Sequence, residues 1–294
     1  MSKNKTTQSP KALLTGAVVG GILTMLPAAH AQYANDSFLT GATPANGEYS
    51  VGAIQTQSPT VAGFTGDWST TGGSGNVQAS SLSYAASGYA APTGGSLSLN
   101  DWNRVGRLFD SSVASSFSTS SSGTLYLSFL MQSAGAGNGY QSLELYGGGW
   151  NDGTQRAFQL GAGGWGDFNG GQFGFKQNSA GPISDLGAVN PGVNLFLVRF
   201  DLGTGAGADS VTAWMNPTLT GFGDPTGGVT VSGLDLRSVD RVSFATFGGG
   251  ANLDGDEIRL GSTLTSVTAV PEPTSLSLLG LGAIGILAIR RKQA

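Results

Sequence analysis

Apolar and polar residues alternate repeatedly through the middle of the chain. In GTLYLSFLMQS, residues 123–133, Leu125, Leu127, Phe129 and Met131 share one face of an extended strand. NLFLVRFDL, residues 194–202, sets Phe196, Val198, Phe200 and Leu202 on one face and Arg199 and Asp201 on the other. RVSFATF aligns Val242 with Phe244, and GDEIRLG opposes Ile258 and Leu260 to Glu257 and Arg259. A period of two, interrupted by clusters of Gly, Asn, Asp and Pro, predicts antiparallel strands joined by turns. No stretch of the middle sustains a helical period for three turns. The predicted fold is therefore all-β, a two-sheet antiparallel sandwich of the jelly-roll kind. The serine run from Ser111 to Ser122 predicts a surface loop. The glycine-rich stretches 135–139, 147–153 and 161–171 predict loops or sheet edges.

The two ends break this pattern. Lys3, Lys5 and Lys11 precede the apolar run ALLTGAVVGGILTMLP, and Ala29-His30-Ala31 follows it. A basic start, a short apolar stretch and a small-x-small site describe a secretory signal peptide, so residues 1–31 are expected to be cleaved after Ala31. At the other end stands VPEPTSLSLLGLGAIGILAIRRKQA. Pro271 and Pro273 lack backbone donors and push the residue before each toward extended geometry, which predicts an accessible joint. Leu276 to Ile289 carries no charge. Counted from Thr274, it would span about 24 Å as a helix, somewhat less than a ~30 Å bilayer core. Arg290 and Arg291 would hold its end at the cytoplasmic surface.

This order of Pro-Glu-Pro, apolar helix and basic end resembles the PEP-CTERM sorting signal of Gram-negative bacteria. The resemblance covers residues 270–294. It implies that Pro271, Glu272 and Pro273 are recognised by a membrane-embedded exosortase, with Arg290 and Arg291 arresting the helix. The protein would pass through the inner membrane and end at the cell surface or in the extracellular matrix.

Removing both ends changes the charge. Of 14 basic and 18 acidic residues, three lysines precede Gln32, while Glu272, Arg290, Arg291 and Lys292 follow Val270. The middle keeps 8 basic and 17 acidic residues, a net charge near −9. Nucleic acid is excluded as a partner, because its binding rests on neutralising phosphates. The only histidine, His30, leaves with the signal peptide, and the chain has no cysteine. Stability must then come from the core or from bound metal.

Within the expected ectodomain, residues 32–269, the stretch from Ala34 to Thr268 also resembles, in the order of its phrases, the concanavalin A-like/laminin-G-like domains joined to PEP-CTERM tails. The phrases are DSF, GFTGDW, GTLYLSFLMQS, NGYQSLELYGGG, LVRFDLGTG, DSVTAWMNP, LRSVDRVSF and GDEIRLGSTLTSV. That resemblance implies a jelly-roll sandwich found in polysaccharide-rich outer layers and biofilm matrices.

Candidate chemistry is sparse. Without Cys or His the mature chain builds no Ser-His-Asp, Cys-His or typical zinc site. Glycosidases use two carboxylates, but the Glu-x-Asp-x-x-Glu run of some glucanases of this fold is absent and Glu144 stands alone. Gly161-Ala-Gly-Gly-Trp-Gly166 matches G-x-G-x-x-G only formally, since no helix follows it. No catalytic residue is assigned, and the protein is expected not to be an enzyme. Asp254, Asp256 and Glu257 offer hard oxygens to calcium, though no cofactor is required. The favoured role of that segment is structural, with Gly255 turning the chain and Arg259 pairing with Glu257 or Glu144. Tyr140, Tyr146, Trp150 and Trp165 lie among glycines and polar residues, where rings can stack on sugars. Trp68, Trp102 and Trp214 read as core or its rim. The expected function is a structural or adhesive role in envelope or matrix, with exosortase and an extracellular polysaccharide as partners. A lectin-like module is the alternative, and a degenerate glycan hydrolase the third reading.

Overall fold

A computed structural model describes residues 32–268, apart from 87, 119–121, 135–138, 151–154, 165–166, 179–180, 220–222 and 237. Ala29, Ala31, Pro271, Glu272, Pro273, Arg290, Arg291, the predicted apolar helix and Trp165 lie outside the described residues.

Sixteen strands form among the described residues. The first eight are β1 (Gln32–Asp36), β2 (Gly52–Ala53), β3 (Phe64–Gly72), β4 (Asn76–Gln78), β5 (Ser96–Leu99), β6 (Asn103–Phe109), β7 (Gly123–Ala134) and β8 (Tyr140–Tyr146). The rest are β9 (Arg156–Ala162), β10 (Gln172–Lys176), β11 (Ser184–Ala188), β12 (Val193–Leu202), β13 (Asp209–Met215), β14 (Val229–Leu234), β15 (Arg241–Phe247) and β16 (Asn252–Gly261). They build two antiparallel sheets. A nine-stranded sheet runs β14-β13-β12-β7-β16-β5-β4-β2, with β1 also paired to β16, and a seven-stranded sheet runs β11-β10-β9-β8-β15-β6-β3.

The alternating apolar faces meet between these sheets. Leu125, Leu127, Phe129 and Met131 of β7 join Phe196, Val198 and Phe200 of β12. Leu143, Leu145, Phe158, Leu160, Val242 and Phe244 face them from the other sheet. Phe129 stacks on Phe196 at 5.2 Å and meets Phe244 edge-on at 6.3 Å across the sandwich. Each such ring, fully removed from water, contributes about 1.5–3 kcal/mol. The opposite face of the nine-stranded sheet is apolar as well. Leu130, Leu195, Leu197 and Trp214 pack there beneath Leu82, Tyr89 and the short helix Leu264–Thr268. The chain thus covers both faces of one sheet with apolar side chains, and the outer face of the seven-stranded sheet mixes buried polar side chains with a small aromatic cluster.

Two expectations change. The serine run opens as a helix, Ser111–Ser116, rather than a loop. Asp110 caps it by accepting from the Ser112 and Val113 backbone N–H groups, each at 2.9 Å, and Val113 and Phe117 are buried. One turn of helix suffices to bury two apolar residues that strand alternation could not place. Gly255 does not turn the chain. It lies within β16, where an added Cβ would sit 2.7 Å from the Phe244 ring, so its bare backbone makes room for that ring.

Near the chain's first strand, Tyr49 organises a buried network. Its hydroxyl donates to Asp36 at 2.5 Å and accepts from Trp68 Nε1 at 2.8 Å and from Arg107 at 3.0 Å. Arg107 also donates to the Pro59 carbonyl at 2.6 Å, which ties β1 and β6 to the intervening loop.

Candidate functional site

On β8, Leu143 and Leu145 enter the core, so the two-residue period turns Tyr140, Ser142, Glu144 and Tyr146 to the outer face. Register then sets Gln159 of β9 and Ser243 of β15 on either side of Glu144, with Gly106 of β6 beyond Ser243. Glu144 is fully buried. Its Oε2 accepts from the Tyr146 hydroxyl at 2.7 Å and from Arg104 Nε at 3.1 Å. Its Oε1 pairs with Arg156 Nε at 3.2 Å and accepts from the Tyr140 hydroxyl. Three hydrogen-bond donors and the Arg156 ion pair surround this carboxylate.

The surroundings extend the network. Arg156 also donates to Gln159 Oε1, while Gln159 Nε2 has no hydrogen-bond partner among the described residues. Lys176 Nζ lies 3.0 Å from Asp167, another carboxylate of this face. Burial, and then the neighbouring Glu144 charge, push the Tyr140 and Tyr146 hydroxyls well above the usual tyrosine range. Burial pulls Arg156 down, but Glu144 and the two tyrosines outweigh it and hold the guanidinium firmly protonated. Both tyrosines therefore act here as neutral donors.

Of the aromatic residues singled out by sequence, Tyr140 and Tyr146 meet at this carboxylate, and neither they nor Trp150 form an open platform. Tyr140 and Tyr146 are buried, and Trp150 is 9% exposed. The Trp150 ring lies against Gly106, where a Cβ would approach to 2.9 Å, and over the Arg241 guanidinium at 4.9 Å. From Tyr140 an aromatic row runs outward. Phe168 stacks on Tyr140 at 5.6 Å, Phe247 follows at 5.6 Å, and Trp102 meets Phe247 edge-on at 6.1 Å. Arg104 rests on Phe247, 4.7 Å from its centroid.

Trp102 corrects its own assignment. Trp68 and Trp214 are buried, whereas Trp102 is 51% exposed and its backbone is left-handed at φ 63°. It occupies the turn between β5 and β6, in the run Asn100-Asp101-Trp102-Asn103. A bulky aromatic ring inside a turn-forming run was the available signal, and proximity to the apolar strands on either side concealed it.

The acidic segment of β16 does different work. Asp256 accepts from Ser81 Oγ at 2.5 Å, from the Leu82 N–H at 2.9 Å and from the Glu257 N–H at 2.7 Å. Glu257, at a bulge with φ 54°, accepts from the Thr93 N–H at 2.7 Å and pairs with Arg259 at 2.5 Å. These carboxylates fasten the segment around residues 81–93 across the nine-stranded sheet. Asp254 is half-buried on β16, opposite Ser98 and Gln132. Among the described residues no group of three or more acidic, His or Cys side chains is placed to hold a metal ion.

Among solved structures, the chain is similar to an endo-β-1,4-glucuronan lyase from the fungus Trichoderma reesei. Identity is 11%, covering 66% of this chain and 90% of the lyase, with a TM-score of 0.40. It is also similar to the binding domain of botulinum neurotoxin serotype C1, at 11% identity over 72% of this chain, with a TM-score of 0.42. The likeness spans 48% of that neurotoxin chain, about half its length. No ligand or chemistry passes from either protein to this one. No curated protein matches the chain.

The tail is different, because its likeness lies in the sequence itself. Residues 269–292 match the PEP-CTERM protein-sorting motif, a signal that implies export, a stage held in the membrane and processing by an exosortase. The chain is thus an all-β, two-sheet sandwich that carries a PEP-CTERM protein-sorting motif at its end.

Proposed function

We propose that the protein is a non-catalytic adhesive component of the cell surface or extracellular matrix, holding polysaccharide through the outer face of its seven-stranded sheet. The observation that carries this reading is the state of Glu144. A carboxylate already taking hydrogen bonds from Tyr146, Tyr140 and Arg104, and held in an ion pair by Arg156, is poorly placed to move a proton. Asp167, another carboxylate of that face, is neutralised by Lys176. The network instead makes the face rigid, and a rigid aromatic and polar face suits recognition, because little freedom is lost when a ligand binds. Export with a sorting tail supplies the setting in which matrix polysaccharide is met. Calcium is not needed by this reading, since the Asp256 and Glu257 oxygens are held by protein donors.

The test is retention of the full chain, in non-ionic detergent, on polysaccharide extracted from the producing cells. Co-sedimentation that survives chelator supports adhesion without metal. Absence of retention on every fraction removes the adhesive role. Turnover of those fractions, abolished by Glu144→Gln, would replace it with an enzyme.

A further inference from the structure

Trp102 combines solvent exposure with backbone strain. Its indole is half in water, and its backbone lies in the left-handed region that disfavours every residue except glycine and, less strongly, Asn and Asp. The turn itself is secured without the ring. Asn103 Nδ2 donates to the Asn100 carbonyl at 2.6 Å and to its side-chain oxygen at 2.7 Å, and Thr246 Oγ1 donates to the same carbonyl at 2.9 Å. Glycine or asparagine would suit the backbone of this position better than tryptophan. A strained, exposed aromatic residue on a braced turn points to function.

We propose that Trp102 is the stacking platform of a binding subsite for a neutral pyranose polysaccharide, with Asp101 and Asn100 bonding its hydroxyls. This rests on the adhesive reading and gives it a ligand class. Stacking follows from geometry: the edge-on contact with Phe247 braces one side of the indole while the side chain keeps half its surface open. Asp101 and Asn100 are exposed beside it, and a carboxylate and an amide are the groups that accept from and donate to sugar hydroxyls.

Neutrality follows from charge. Of the cations of the adjoining face, Arg104 and Arg156 pair with Glu144 and Lys176 with Asp167, while Arg241 packs against Trp150 and donates to Ser69. The charged group next to Trp102 is the acid Asp101, on a region of net charge near −9. A uronate or sulfated chain would meet repulsion there, with Arg104, the guanidinium packed on the neighbouring Phe247, already held by Glu144.

The full chain in non-ionic detergent is run in native gels containing laminarin, dextran, hydroxyethyl cellulose, galactomannan or polygalacturonate. At least one neutral polymer should retard it. Trp102→Gly should weaken that retardation about tenfold, the scale of one aromatic contact, and leave the thermal midpoint unchanged or raised. Leu39→Ser, which alters another exposed apolar side chain, should behave as the parent does. Retention of Trp102→Gly on the cells' own polysaccharide at the parent's level overturns the inference and leaves adhesion standing. Retardation by polygalacturonate through Trp102, or by none of the neutral polymers, also overturns it. Failure of the parent on the cells' own polysaccharide as well removes the adhesive reading itself.

Discussion

Tyr146 donates its hydroxyl at 2.7 Å to Glu144, two residues earlier on the same face of β8, so one strand supplies both an acid and its donor. Arg104 and Arg156 close on the same carboxylate from β6 and β9. Replacing Glu144 with Gln leaves two buried guanidinium groups facing a neutral amide. Removing one partner of a buried ion pair costs about 3–5 kcal/mol, and we expect a loss on that scale in urea unfolding. Tyr146→Phe removes one donor and should cost about 1–3 kcal/mol. Parent-like midpoints in both variants would show that the network adds nothing to stability.

Gly255 faces the Phe244 ring from the opposite sheet. A β-branched residue there has the right strand propensity and the wrong volume. Gly255→Val should destabilise the sandwich by about 1–3 kcal/mol, the usual cost of overpacking. The denaturant midpoint checks this, and a midpoint at or above the parent's would mean that Phe244 moves aside freely.

Burial pushes Asp256 up to about 8 from its ordinary value of 3.8, against the opposing pull of its bonds from Ser81 and Leu82. Burial raises Asp36 as well. The folded state then holds more protons than the unfolded chain between pH ~4 and ~8, so stability falls as pH rises through that window, by up to ~1.4 kcal/mol per unit for one proton. Urea midpoints should be lower at pH 8 than at pH 5. Asp256→Asn should flatten that slope whatever its absolute stability, and an unchanged slope would assign the effect elsewhere.

Residues 269–292 carry the sorting motif. In the producing host, converting Pro271, Glu272 and Pro273 to alanine should leave the protein uncut and in the inner membrane. Intact-mass measurement of surface-extracted parent protein should show that Arg290 and Arg291 have been lost. Finding both arginines on protein outside the cell would instead indicate a plain membrane anchor.

Local pattern was sufficient for much of the architecture. The alternation in β7, β12 and β15 specified which residues enter the core, because a strand turns successive side chains to opposite faces whatever its neighbours are. The tail was legible for a similar reason, since Pro-Glu-Pro, an apolar run and a basic end are contiguous in the chain. The absence of cysteine likewise excluded Cys-based chemistry before any fold was known.

What alternation leaves open is the identity of the neighbours. Glu144 stands alone in SLELY, and only the register of β8 with β9 and the packing of β6 bring Arg156, Gln159 and Arg104 to it from 12, 15 and 40 residues away. Gly255 reads as a turn residue until Phe244, from the other sheet, occupies the space its side chain would fill. Trp102 reads as core or its rim because its flanking strands are apolar, yet its turn leaves half of it in water. Sequence determined which way the clearly alternating strands face and that the chain carries an export-linked sorting motif. Pairing across strands, which joins residues distant in the chain, decided which polar groups meet, which aromatic rings are covered and which one is left in water.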